Sequence, residues 1–508
     1  MNKTVFSLVI NSHIPWMPYD EERLFETIFE TFLPLLEVFD RLEADRIPFH
    51  IGVSFSPSLC FLLSDGDLLK KFDEWINKRI DFLKQELNRT DNLPENALAQ
   101  MYYEEAVDKQ LQWTGRYERN ILKAFEYYQK KGSVELLMTA ATHAFLPFYV
   151  CYPEAVQAQI ETAIGTFRRF FGKYPLGFFL PEMAWSPDVD QFLRAYNFGY
   201  TITDAHAFVL GEPVASKGVF YPIRTRSGIL TIARDIGARF SAYSDADCYR
   251  DNNRDIAYEL PKETLKPFFG NRRISTGCKY YARDKSLYNS AIADATARVQ
   301  ARAFLNAQVE RLHTAGKFMS ETPVSLCVCD ADDLGRLWRE GGYFVESLFR
   351  EANTAENVGI RLLSPGEYLF DQEMDKIEII TPSFSSSGPN GYAELWLDSF
   401  NDWMYRHMVR AIERMTELAE RFPNESGIKE RALNQAAREI LIAQDSSWPK
   451  MLYNKEYANK QIKSCLQNFT TIYESLGSGH ISTEWLTNLE YDHRVFPNIN
   501  YRVFRRNQ

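Results

Sequence analysis

The chain has 508 residues, and its 58 basic and 68 acidic side chains leave a net charge of -10. An apolar share of 45% and a charged share of 25% are those of a globular protein, which excludes wholesale disorder, a collagen-like repeat and a small disulfide-stapled scaffold. The acidic balance argues against a general nucleic-acid binder, which needs a basic stripe, and no run approaches the about 20 apolar residues that span a bilayer.

In chain order, the short apolar run Val5–Ile10 gives way at once to Asn11, Ser12 and His13. It is too short for a signal-peptide core and reads as a first buried strand. Leu24, Phe25, Ile28, Phe29, Phe32, Leu36 and Phe39 follow at helical spacing with acidic residues between them, predicting an amphipathic helix. Further strands are predicted at Pro48–Phe55, Glu135–Thr142, Leu176–Pro181, Tyr200–Asp204, Ile229–Arg234, Val324–Asp330 and Arg361–Ser364. Strands alternating with helical patterns predict a parallel sheet with helical crossovers, an α/β fold. Residues 66–132 are polar and helical in pattern, and read as an insertion between strand–helix units. The serine-rich stretch Ser383–Ser387, with Gly388, Pro389 and Gly391 after it, marks a loop. Beyond it the strand signals stop, and 401–422, 428–444 and 454–475 read as helices. The expected organisation is a catalytic region over 1–400 and a helical one over 401–508. The seven cysteines are scattered, with one C-x-C pair and no C-x-x-C. That spacing predicts reduced thiols in a cytoplasmic protein, with neither zinc nor disulfides.

Several predicted strands end in a polar or ionisable residue: His13, His143, Glu182, Asp204, Arg234 and Asp330. In a β/α barrel the carboxyl ends of the strands converge on one mouth, where chemistry sits; the same residues also suit plain strand exits into loops. Glu182, in GFFLPEMAW beside Trp185, and Asp330, in SLCVCDADDLG, would be neighbours at such a mouth. Two carboxylates near aromatic rings suit glycoside chemistry, and strand-end salt bridges account for them equally. His13 and His143 fit either donors to sugar hydroxyls or satisfied structural histidines. No H-x-x-x-H or H-x-x-E spacing supports a metal site. The chain has no G-x-S-x-G elbow, no G-x-x-x-x-G-K-[ST] loop and no G-x-G-x-x-G fingerprint.

At these residues the chain resembles glycoside hydrolase family 57, in its α-1,4-glucan branching enzyme group. NSHIP (11–15) is similar to the family's first region and ELLMTAATHAFLP (135–147) to its second. GFFLPEMAWSP is similar to the nucleophile region, and CDADDLGRLWREGGYF to the acid/base region. GYTITDAHAF, IARD, STGCKYY, GYAELWLDSFNDWMYRH and AAREILIAQDSSWPKML extend the match almost end to end. The resemblance implies an incomplete seven-stranded (β/α) barrel with helical insertions, followed by an all-α C-terminal domain. It implies a retaining transfer on α-glucan with Glu182 as nucleophile and Asp330 as general acid/base. His13, His143, Trp185, Arg234, Trp396, Trp403 and Trp448 are the implied substrate-binding residues. No metal or organic cofactor is implied, and neither nucleic acid nor membrane is an expected partner.

The chain departs from the family pattern in places. Asn11 stands where a histidine is usual, Arg336 and Leu337 replace a histidine and a tryptophan, and Cys465 takes a histidine's place. Ser-Ser-Asp-Trp becomes Asp445-Ser446-Ser447-Trp448. The loop between Asp235 and Tyr249 is shortened and lacks its tryptophan, with Phe240 nearby. The two carboxylates persist, while the residues shaping the sugar subsites change. Three activities therefore remain open: branching; hydrolysis or 4-α-glucan transfer on the same scaffold, which a less covered intermediate favours; and weakened catalysis in a glucan-binding protein.

Overall fold

A computed structural model describes residues 4–17, 21–354, 359–452 and 456–506. Its centre is strand β1 (Thr4–Ser12), buried at every residue. The run TVFSLVINS has no solvent-facing alternation because a parallel strand inside a sheet is covered on both faces. On one edge β1 pairs with β8 (Val324–Asp330). The other edge takes β2 (Ile51–Phe55) at its carboxyl end and β9 (Ile360–Leu362) at its amino end. All these pairings are parallel. β2 continues to β3 (Val134–Leu137), and the bridge Met138–Phe178 leads on to β4 (Gly177–Phe179). β4 pairs with β5 (Tyr200–Thr203), and β5 with β7 (Leu230–Ala233). Asp235 N donates to Leu326 O at 2.8 Å, bringing the end of β7 back to β8.

β8, β1, β2, β3, β4, β5 and β7 thus form a seven-membered parallel ring, held by far fewer hydrogen bonds at its β3–β4 and β7–β8 seams than at the other pairings. This is the incomplete barrel that the family resemblance implies; the strand–helix alternation predicts its parallel α/β character. All eight predicted strands are present, several trimmed at their ends. Two further ones, β6 (Ile223–Arg224) and β10 (Glu378–Ile379), are two residues long and lie off the ring. Such short pieces carry no periodic signal to read.

The predicted first helix is continuous in sequence but changes pitch. Helices Glu22–Thr27 and Leu33–Ala44 flank a π-helical turn, Ile28–Phe32. Between β2 and β3 run the helices Gly66–Arg89, Asn96–Leu111 and Ile121–Lys131, within the segment expected as an insertion. Arg79, in the first of them, and Arg250 both reach buried Glu30 of the π turn, Arg250 at 2.8 Å. Beyond β10 the helices Asp402–Arg421, Gly427–Ala443, Glu456–Ser478 and Thr483–Asp492 follow, close to the predicted spans. This helical region is seated on the mouth of the ring. Thr142 Oγ1 donates to Leu441 O at 2.6 Å, Gln159 Nε2 to Gln444 Oε1 at 3.0 Å and Trp16 Nε1 to Asp492 O at 3.1 Å.

Gly335 closes the loop after β8 against the π turn. A Cβ there would lie 2.0 Å from Glu30 O and 2.7 Å from Thr31 Cα, both backbone atoms. Overpacking of this kind costs about 1–3 kcal/mol. Gly335→Ala is expected to lower stability by at least that much, read as the fall in the urea midpoint at unchanged slope.

Candidate active site

The strand ends bring the expected residues to one cleft of two lobes. One lobe, about 150 Å³, is lined by Asn11, His13, His143, Glu182, Asp330, Arg336 and Lys450 among others. The other, about 270 Å³, is lined by Arg234, Arg239, Phe240, Ser241 and Trp338 among others. Asn11, Glu182, Asp330, Asp333 and Leu337 border both lobes, so the two carboxylates stand at the junction.

Register explains one side of this junction. Asn11 lies directly opposite Asp330 in the β1–β8 ladder, where in-register side chains project to the same face. Asn11 Nδ2 donates to Asp330 Oδ1 at 3.0 Å. The protein packed around Asp330, and then the negative charge of Glu182, raise its carboxyl above the usual range, against the opposing pull of Lys450. Asp333 is pushed up to about 7 by the protein packed around it and by the charges of Asp330 and Asp332.

Glu182 is built differently. It follows β4 in a left-handed conformation, φ 57°, and Met183 shares it at φ 49°. Such backbone costs of order 1–3 kcal/mol and persists where surrounding contacts impose it. Here Ser387 N donates to Glu182 O at 2.8 Å, and Ser387 Oγ to Glu182 Oε2 at 3.2 Å. On the other oxygen, Oε1, Ser446 Oγ donates at 3.0 Å and Lys450 Nζ at 2.7 Å. Ser446 and Lys450 come from the helical region, so the carboxylate is completed by residues more than 260 positions away.

His143, φ 54°, is buried with its Nδ1 3.0 Å from Ser446 Oγ. Ser446 has one proton and gives it to Glu182, so Nδ1 of His143 carries its own proton and donates to Ser446. Burial, with the neighbouring His13 and Lys450, holds His143 well below the usual imidazole range and therefore neutral. Its Nε2, the ring's acceptor, is buried without a partner, and His143 lines the first lobe. His13 stacks on it, ring centres 4.5 Å apart, and is pinned between Ser56 Oγ at 2.8 Å and Asp445 Oδ1 at 3.1 Å. Arg234 lines the second lobe and is paired with Asp204.

The tryptophans need correction. Trp185, Trp396 and Trp448 are at most 1% exposed and offer no open face for a sugar to stack on. Their ring N–H groups bond to backbone carbonyls, of Pro382, Ser446 and Ile442 respectively. They brace the loops that carry the polar groups. Trp403 packs against the core near Lys463 and lines neither lobe. The tryptophan that borders the cleft is Trp338. Arg336 bonds Asp332 at 2.7 Å, and Asp332 also holds Arg23 and Thr27 Oγ1, so the substituted arginine is tied down within its own loop. Leu337 is 48% exposed at the lobe junction.

Sequence reading singled out neither Ser446 nor Lys450 nor Ser387. Ser383–Ser387 carried only a loop signal, and the Asp445–Lys450 segment only a family likeness. Away from the cleft, Glu439, Cys465 and His493 are the grouping of metal-ligand type among the described residues. Glu439 there already accepts from His493 at 2.7 Å, Gln435 at 2.6 Å and Asn468 at 3.2 Å. The grouping is accounted for as a buried ion-pair network.

The model of glycosyl hydrolase family 57 matches residues 7–382, and that of the 1,4-alpha-glucan branching enzyme C-terminal domain matches 407–504. The chain belongs to glycosyl hydrolase family 57 and is an enzyme of the glycoside hydrolase and transferase class. It is 25% identical over 497 residues to a 1,4-alpha-glucan branching enzyme of Thermococcus kodakarensis, covering 91% of this chain and 72% of that protein. Among solved structures it is similar to the alpha-amylase AmyC of Thermotoga maritima, with TM-score 0.92, 31% identity and both chains covered in full. It also resembles a branching enzyme of Pyrococcus horikoshii in fold, with TM-score 0.89 and 22% identity over 100% of this chain and 98% of that one.

Ser446→Ala would leave both ring nitrogens of buried His143 unpartnered. A loss of about 1–3 kcal/mol in unfolding free energy is expected, measured by urea denaturation; an unchanged value would show that the His143–Ser446 contact carries no weight.

Proposed function

We propose that this chain cuts an α-1,4 bond of a glucan and rejoins the freed segment through an α-1,6 bond, as a branching enzyme. Glu182 attacks the anomeric carbon and Asp330 serves as general acid and then base. The observation that carries this reading is the asymmetry of the two carboxylates. Glu182 is ion-paired with Lys450 at 2.7 Å, the state a nucleophile needs. Asp330 is pushed towards its protonated form by the protein packed around it and by Glu182, the state a general acid needs. Environments that separate two carboxyl groups in this way assign the acid and the base.

The lobes on either side of the pair give a glucan chain room both before and after the cut bond. His143 Nε2, neutral and unpartnered, is suited to accept from a sugar hydroxyl in the first lobe. Arg234, Arg239 and Ser241 offer donors in the second. Resemblance to branching enzymes along the barrel and in the helical region supports branching over the other activities on this scaffold.

A second reading, α-glucan hydrolysis, is favoured by the likeness to an alpha-amylase and by exposed Leu337 at the lobe junction. A leucine there covers the reacting centre less than a stacked ring, and a transferase must keep water from the intermediate.

Purified protein incubated with amylose, with Glu182→Ala as control, separates the two. Branching predicts new α-1,6 linkages in the proton NMR spectrum with few new reducing ends, and none of either in Glu182→Ala. Reducing ends without branches would establish the hydrolase. Full activity in Glu182→Ala would overturn the nucleophile assignment.

A further inference from the structure

We infer that Lys450 is a mobile counter-charge, paired with Glu182 before the sugar is taken up and with Asp330 once the sugar is on Glu182. This rests on the double displacement proposed above and deepens it. In the first half-reaction an oxygen of Glu182 bonds the anomeric carbon. The bond from that carbon to the leaving oxygen breaks, its electron pair stays on the oxygen, and that oxygen takes the proton of Asp330. Glu182 is now a neutral ester and Asp330 a carboxylate. In the second half-reaction the acceptor hydroxyl gives its proton to Asp330, its oxygen bonds the anomeric carbon, and the ester bond breaks to restore the Glu182 carboxylate. One negative charge is present throughout, and it changes residue.

Lys450 is placed to answer it in both positions. Its Nζ lies 2.7 Å from Glu182 Oε1, and it lines the same lobe as Asp330. The charged and titratable groups around the pair come from several elements. Glu182 follows β4, Asp330 ends β8, Asp332 and Asp333 follow it, His143 follows β3, His13 follows β1, and Asp445 shares the segment of Lys450. Burial alone would depress the ammonium, and Glu182, then Asp330 and Asp445, outweigh it and raise Lys450. His143 is neutral, and His13 is engaged by Ser56 and Asp445. The other cations of the first lobe, Arg23 and Arg336, are paired with Asp332; in the second Arg234 is paired with Asp204, and Arg239, which also lines it, is solvent-exposed. Lys450 lies over the ring of buried Trp396, 5.3 Å from its centre. That ring supplies a cation–π floor on which the flexible four-carbon stem can swing without losing all its partners.

Three measurements test this. Labelling of the wild-type enzyme with 5-fluoro-α-glucosyl fluoride, read by peptide mass spectrometry, is expected to mark Glu182. A label on another residue would overturn the nucleophile reading itself, whatever Lys450 does. With Glu182 labelled, kcat/KM for 4-nitrophenyl α-maltopentaoside is then followed against pH in Lys450→Met, Lys450→Gln and Lys450→Arg. Loss of the cation is expected to move both limbs to higher pH by about one unit or more, while Lys450→Arg holds them. Two neutral variants guard against one that folds poorly. Last, the reactivation of the trapped glycosyl-enzyme by maltose is followed against pH. Its rising limb reports Asp330, and it is expected to move upward in the neutral variants as well. A neutral variant that is slower with unmoved limbs would reduce Lys450 to a structural role. A shift in kcat/KM without one in reactivation would fix Lys450 on Glu182 and overturn the transfer of its charge.

Discussion

Glu182 Oε1 is a point at the cleft where the barrel and the helical region meet. The barrel supplies the carboxylate on a strained turn after β4, and the helical region supplies Ser446 and Lys450 that bind it. Without that seat the carboxylate would face solvent on one side and His143 would lose its partner. The contacts of Thr142, Gln159 and Trp16 with the helical region are what bring Asp445–Lys450 to the mouth. In this chain the helical region is thus part of the site itself, and the position of the Glu182 carboxylate depends on how it is seated.

The second constraint is the β1–β8 ladder. Parallel pairing in strict register sets Asn11 against Asp330 and fixes where that carboxyl lies along the ring. The loop that follows is held down by a close backbone approach at Gly335 and by Asp332, which gathers Arg23, Arg336 and Thr27. Two carboxylates that are neighbours in space therefore sit in unlike surroundings. One is held by a lysine and hydroxyl donors, and the other by a single amide among like charges. The substituted residues around Asp330 have been absorbed into those surroundings. Arg336 is spent on Asp332, and Asn11 still supplies a donor where the resemblance leads one to expect a histidine.

Strand–helix alternation made the parallel α/β core legible because buried parallel strands are short, apolar and β-branched, and eight of them could be read directly. The long helices after residue 400 were legible from their periodicity. β6 and β10 were not, since two residues hold no period, and the π turn at Ile28–Phe32 keeps the same apolar spacing as the helix around it. Among site residues, those at strand ends were visible because a lone polar group after an apolar run stands out. His13, His143, Glu182, Arg234 and Asp330 all reach the cleft.

The tryptophans were misjudged because a ring near a catalytic motif in sequence says nothing about which face it turns to the cleft. Trp185, Trp396 and Trp448 spend theirs on packing. By itself, then, the sequence determined the α/β class, the individual strands and the helical ending, which local pattern sets, while the family resemblance implied the ring and singled out the two carboxylates. The tertiary structure alone decided that Ser446 and Lys450 complete Glu182, that Asn11 holds Asp330, and that His143 is neutral. Those facts depend on groups hundreds of residues apart meeting at a few ångströms, and no local spacing encodes such a meeting.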